Sequence, residues 1–206
     1  MKKLVSWLVV LVLLVGLVGS FPAFAAGITW SLSNGVLTIS GTGDMDDYEK
    51  PEDVPWYSSR SQITSVVISD GVTSIGKGSF NDCANLVIVT MPDSVKKIGD
   101  YAFQSCTSLR TITIGDGVET IGSDAFGLCY NLSTVHFGKN VKSLGSCSFW
   151  YSGIRELVLP DSLESIGSQA FYECTSLQSV TFPDHNLDFP YAVGVFGNCT
   201  SLKEVT

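Results

Sequence analysis

Charge is scarce in this chain. Of 206 residues, 16% are Asp, Glu, Lys or Arg, too few for a coiled coil. Bases are scarcer still, with 12 Lys and Arg against 20 Asp and Glu, a formal net charge of −8 at pH 7. Such a balance argues against nucleic-acid binding, which relies on basic patches. There are two histidines, and no P-loop, G-x-S-x-G, H-E-x-x-H or Rossmann fingerprint. None of the six cysteines stands in the C-x₂₋₄-C spacing that zinc sites use. A Cys–His nucleophile would need an orienting group and an oxyanion hole, and no local signature supplies either. Nothing in the chain calls for a cofactor or a metal, so no enzyme is expected. What is abundant is apolar: 45% of the residues, which rules out a disordered chain.

Part of that apolar content sits at the start. Lys2 and Lys3 precede a run from Leu4 to Val18 interrupted by Ser6 and Gly16, and Ala23-Phe24-Ala25-Ala26 ends in a small-x-small pattern. Residues 1–26 read as a secretory signal peptide cleaved after Ala25 or Ala26. The protein is therefore expected to be exported, secreted or at the cell surface, touching a membrane through this segment alone if it stays uncleaved.

The rest is a repeat. Phe80, Phe103, Phe126 and Phe149 recur every 23 residues, Phe171 follows after 22 and Phe196 after 25. Cys83, Cys106, Cys129, Cys174 and Cys199 each stand three places after such a Phe, with Ser152 taking that place in the fourth unit. Six units start near Ile63, Leu86, Leu109, Leu132, Ile154 and Leu177, and a seventh begins at Leu202. Each opens with L-x-x-L-x-L, whose alternation predicts a half-buried strand. A turn rich in Asp, Gly, Pro and Ser follows, then V-x-x-I-G, too short for a helix and fit for a second small strand. The unit closes in [AS]-F-x-x-C-x-x-L, a turn or a short 3₁₀ piece. One unit cannot bury its own apolar positions, but stacked units can.

The second unit runs Leu86, Val89, Met91, Pro92, Ser94, Val95, Ile98, Gly99, Ala102, Phe103, Cys106 to Leu109. It resembles the leucine-rich repeats of the BspA-like, or Treponema pallidum, type, and the likeness extends from Ile63 to the C-terminus. The place of the general leucine-rich Asn/Cys ladder is held here by Gly71, Ser94, Gly117, Asn140 and Ser162. The resemblance implies a β-rich leucine-rich-repeat solenoid of stacked 22–25-residue coils with a parallel sheet and few or no long helices. It also implies bacterial surface or secreted proteins, many linked to adhesion. The sixth unit departs from the pattern: Pro183 to Val195 is long, carries Pro190 and lacks the I-G step, so a loop or bulge is expected.

Residues 27–62 precede the repeats. Ile28–Leu32 and Val36–Ser40 flank Ser33-Asn34-Gly35, and Asn-Gly is a strong hairpin signal. An N-terminal β-hairpin capping the first coil is expected, then a linker over Gly41–Gln62 with Trp56 packing back. Asp44, Asp46, Asp47, Glu49, Glu52 and Asp53 crowd this linker. An EF-hand fails there, because its sixth place is Glu49 and its twelfth Pro55. A solvated acidic loop is the expectation. The five cysteines that share a repeat position are expected to be buried and unpaired, since parallel Cβ vectors are poorly aimed for disulfides. Cys147, off that position, is the candidate reactive thiol.

Two candidate surfaces follow from the strand alternation. On the first strand of each unit, two ladders point outward: Ser65, Ile88, Thr111, Thr134, Glu156, Ser179, and Val67, Thr90, Thr113, His136, Val158, Thr181. This nearly uncharged face, with Ser65, Thr90, Thr111, Thr113, Thr134, His136, Glu156 and Thr181 at its core, is the candidate partner-binding site. Tyr130, Trp150, Tyr151 and Tyr172, near the Phe-to-Cys turns of successive units, form a candidate aromatic patch for glycan or protein contact. The expected function is a non-enzymatic, adhesion-type protein–protein interaction module whose partner is an unknown protein or glycan on a host or neighbouring cell. A structural spacer in a larger surface protein and a carbohydrate-binding module are the alternatives.

Overall fold

The computed structural model describes residues 27–187 and 193–206. The expected signal segment and Pro190 lie outside the described residues. The chain winds into coils, most of which give two short strands, the coil of β14 giving one among the described residues: β1 (Ile28–Ser33), β2 (Val36–Gly41), β3 (Gly43–Asp44), β4 (Ser65–Ile68), β5 (Val72–Ile75), β6 (Ile88–Thr90), β7 (Lys97–Ile98), β8 (Thr111–Thr113), β9 (Thr120–Ile121), β10 (Thr134–His136), β11 (Ser143–Leu144), β12 (Glu156–Val158), β13 (Ser165–Ile166), β14 (Ser179–Thr181) and β15 (Glu204–Val205). Among the described residues the helical pieces are two 3₁₀ turns, Pro51–Asp53 and Tyr57–Gln62.

The first strands form the front of the solenoid, where they pair in parallel with equivalent positions opposite one another. Ser65 faces Ile88, Thr111 faces Thr134, and Glu156 faces Ser179. The alternation sends Val66, Ile112, Leu157 and Val180 into the core. The second strands run as one parallel sheet, β3-β5-β7-β9-β11-β13, and bury Ile75, Ile98, Ile121, Leu144 and Ile166. The coils approach closely just after this sheet. A Cβ on Gly122 would lie 2.5 Å from Asp100 Oδ1 and 2.6 Å from Asp100 N, so the I-G step leaves no room for a side chain.

The third edge, around each Phe, is a turn rather than a 3₁₀ piece. Residues two before and two after the Phe take left-handed backbone in successive coils, as in Tyr101 (φ 57°) and Ser105 (φ 60°). This costs about 1–2 kcal/mol per non-glycine residue. In return, alternate N–H groups aim at the following coil: Tyr101 N–H donates to Ser123 O at 2.8 Å, Phe103 to Ala125 at 2.8 Å and Ser105 to Gly127 at 2.9 Å. Buried backbone groups that would otherwise be orphaned are thereby paired.

The core is a stack of rings. Phe80, Phe103, Phe126, Phe149, Phe171 and Phe196 lie parallel, with centroids 5.1–5.4 Å apart. Trp56 extends the stack at the N-terminal end, 5.5 Å from Phe80 and buried. Its Nε1–H donates to Ser79 O at 2.8 Å, the kind of carbonyl that a Phe N–H reaches elsewhere. The linker expected over Gly41–Gln62 is therefore a coil. β2 pairs in parallel with β4, β3 with β5, and Tyr48 N–H donates to Lys77 O. A coil results because Leu37, Ile39, Met45 and Trp56 supply the apolar positions of a unit at irregular spacing. The acids of this stretch are mostly exposed, and three of them also reach the next coil: Asp44 accepts from Thr73 Oγ1, Asp47 from Lys77 N–H, and Glu49 pairs with Lys77. The Asn34-Gly35 turn (φ 50° and 78°) joins β1 to β2, which pair antiparallel from Ile28–Gly41 to Ser33–Val36.

All six cysteines are free. Each ladder thiol from the second unit onward points at the carbonyl of the preceding coil's Phe: Cys106 Sγ to Phe80 O at 3.3 Å, Cys129 to Phe103, Cys174 to Phe149 and Cys199 to Phe171, each at 3.2 Å. The thiol is a weak donor as well as a small apolar filler. Burial raises the pKa of Cys83, Cys129 and Cys174 to about 12, and that of Cys106 well above its ordinary value. Cys199 departs from the expectation of full burial: it is half-buried.

Candidate partner-binding face

The outward ladders fall on the front sheet as the alternation requires. Thr90, Thr111, Thr113, His136, Glu156 and Thr181 are exposed, and Ser65 and Thr134 are partly so. Val36 and Thr38 on β2 prolong the two rows by one coil, opposite Ser65 and Val67. The N-terminal part of the face is aliphatic, with Ile88 57% and Val87 45% exposed. Its middle is polar and carries the face's charges, apart from Lys203 and Glu204 near the C-terminus.

The face is not continuous. The front strands divide into β1-β2-β4-β6, β8-β10 and β12-β14-β15. Between β10 and β12 the Arg155 N–H reaches Ser133 O at a stretched 3.4 Å, against 2.7 Å for Gln178 N–H to Arg155 O one coil later. A cause lies in the fourth unit. Where other units have two residues between the Cys and the next Leu, it has Gly153 alone between Ser152 and Ile154. A groove of about 640 Å³ opens at this place, lined by Ser133, Thr134, Val135, His136, Phe137, Arg155, Glu156, Val158 and Pro160. It brings together Thr134, His136 and Glu156 of the expected face. Ser65, Thr90, Thr111, Thr113 and Thr181 lie outside it. Arg155, Ser133, Phe137 and Pro160 were not singled out by the sequence; the shortened unit was the signal that could have found them.

The aromatic patch assembles in part. Tyr130 and Tyr151 are 54% and 37% exposed and meet edge-to-face at 6.4 Å, and Trp150 meets Tyr151 edge-to-face at 5.0 Å. Trp150 is not an outward platform. Its indole covers Gly127, where a Cβ would lie 2.2 Å from Nε1. The indole N–H is turned toward Asp124, whose carboxyl is raised by burial and held down in part by Trp150 and Gln104. Tyr172 is half-buried and accepts from Asn198 Nδ2 at 2.9 Å. Rings set at 74° and 77° to each other offer no coplanar surface for a sugar chain. Cys147, the candidate reactive thiol, is half-buried with its pKa raised by burial and by Asp124, which lowers its thiolate fraction.

Against known families, the BspA type leucine rich repeat region matches in six copies, over residues 56–158 and 148–206. The chain belongs to this family. Among solved structures, the T. pallidum leucine rich repeat protein is similar, with 29% identity, a TM-score of 0.65, and coverage of 88% of this chain and 79% of that one. A leucine rich cell surface protein from Faecalibacterium prausnitzii shares the fold at 24% identity and a TM-score of 0.51, over 78% of this BspA-type chain and 54% of its own. A search of curated proteins gave no match.

Proposed function

We propose that this BspA-type repeat protein is an exported, non-enzymatic interaction module that docks a partner protein on its front sheet. The observation that carries this reading is the face itself: two rows of small hydroxyl and aliphatic side chains, cheap to desolvate, opening into a 640 Å³ groove. A structural neighbour that is a cell surface protein supports placement outside the cell, as does the leader read in residues 1–26. A few short strands offer a modest area, so a single array binds weakly and gains strength through multivalency.

The test is a pull-down from surface-protein extracts, comparing the wild-type protein with Thr113→Trp/Thr134→Trp. Both residues lie on the solvent side of the sheet, so the fold is retained while bulk blocks the centre of the face. Loss of the captured partner supports the reading. Undiminished capture by the variant would remove the front sheet as the site.

A further inference from the structure

The groove carries an exposed arginine in an acidic chain. The chain is acidic, with a formal charge of −8. Several of its carboxylates are used elsewhere: Asp93 and Asp116 accept backbone N–H groups of the following coil, as does Asp100. Some of its bases are used too, while Lys50, Lys96 and Lys97 are exposed and in none of the ion pairs among the described residues. Lys77, Lys139 and Lys142 each pair with a carboxylate one coil away, and Arg60 lies over the Tyr57 ring. Arg155, which lines the groove, and Arg110 are exposed, and no side-chain partner for either occurs among the described residues.

These two arginines belong together. Ser133 N–H donates to Arg110 O and Arg155 N–H to Ser133 O, so they occupy equivalent places two coils apart, about 10 Å by strand spacing. We propose that the groove between β10 and β12 takes an extended polypeptide segment that presents carboxylates to Arg155 and Arg110. This rests on the reading of the front sheet as a docking face.

Guanidinium groups bind carboxylates bidentately, and two unneutralised ones in one row, Arg155 in the groove lining and Arg110 beyond its edge, select for two acids on one face of a strand. Side chains two apart on an extended chain lie about 7 Å apart on the same face, within reach of two flexible arginine stems. Phe137, Val158 and Pro160 give the groove an apolar wall for the residues between, and the Thr134 hydroxyl can bond the backbone of the segment. Glu156 directly follows Arg155 on the β12 side of the groove and repels a carboxylate placed beside it, so the acids of the segment must align with the arginine row.

The experiment is fluorescence anisotropy on the purified protein with three labelled probes: an octapeptide alternating Glu and Thr, its Gln/Thr counterpart, and oligogalacturonate as an acidic glycan. The Glu/Thr peptide is expected to bind about ten-fold more tightly than the Gln/Thr peptide, and to lose about ten-fold in Arg155→Gln and somewhat less in Arg110→Gln. Affinity should fall as salt rises. Absence of Glu/Thr binding at millimolar peptide, or tighter binding of oligogalacturonate, overturns the proposal. Equal binding of both peptides that is lost in Thr134→Trp also overturns it, but leaves the face as a docking surface. Peptide binding indifferent to Thr134→Trp overturns the proposal and the docking face together.

Discussion

The two sheets of the solenoid are made by the same units and differ in continuity. The second strands pass through six coils without a break, while the front strands divide into three ladders. The second sheet is followed by glycines at which neighbouring backbones come too close for any side chain, and by a ring stack at near-constant spacing. The front lies where unit length changes. The missing residue before Ile154 falls on the approach to β12 and leaves the ring stack undisturbed: Phe149 and Phe171 still lie 5.4 Å apart at 5°. Coil-to-coil adhesion thus resides in the second sheet and the Phe edge, and the front is free to carry chemistry.

If that division is right, the largest loss comes from the stack. Phe126 sits between Phe103 and Phe149 at 5.2 and 5.1 Å, and Phe126→Ala should cost about 3–5 kcal/mol in denaturant unfolding. A loss under about 1 kcal/mol would show that the ring is not core. Next comes Gly122→Ala, where the new methyl meets backbone that cannot yield. About 2–3 kcal/mol is expected, and a neutral result would break the account of the second sheet.

The thiols come third. Ser152 stands naturally where the other units have Cys, and its hydroxyl lies 3.1 Å from Cys174 Sγ. Cys129→Ser keeps a donor for Phe103 O and should cost about 1 kcal/mol or less, whereas Cys129→Val loses it and adds bulk, for about 1–2 kcal/mol. Calorimetry on the pair decides whether donor or volume matters. The same thiols make the fold alkali-sensitive. Their pKa values lie near 9.0 when unperturbed and rise to about 12 in the fold for Cys83, Cys129 and Cys174. The folded state therefore holds protons that the unfolded state gives up. Stability is intact below pH 9 and falls as the pH rises toward 12. Cys129→Ser should shallow that slope, and an unchanged slope would mean that the thiol is not the cause. The smallest effect belongs to the front: Thr113→Trp/Thr134→Trp should move stability by no more than about 0.5 kcal/mol while removing partner binding.

The sequence showed the period, the facing of both strands, the Phe ladder and the unpaired thiols, because each rests on a pattern repeated from unit to unit. It misled where a coil is built without the pattern. Residues 41–62 lack the F-x-x-C signature, so Trp56 was foreseen to pack back but not to take the place of a Phe and donate its indole N–H in place of a backbone one. The thiol-to-carbonyl bonds could not be read, since they depend on how one coil sits on the next. The groove was hidden for a similar reason: it arises from one residue that is absent, and Arg155 has no period to announce it. Trp150 was read from its neighbours along the chain, while its position is set by Gly127 one coil earlier.

The Phe edge has a direction. Each coil offers its N–H groups to the coil after it and receives those of the coil before, and the thiols donate the opposite way. At this edge every coil therefore presents backbone donors on one side and acceptors on the other, so regular units join to one another there in a single sense, whereas the shortened fourth unit leaves its mark only on the front.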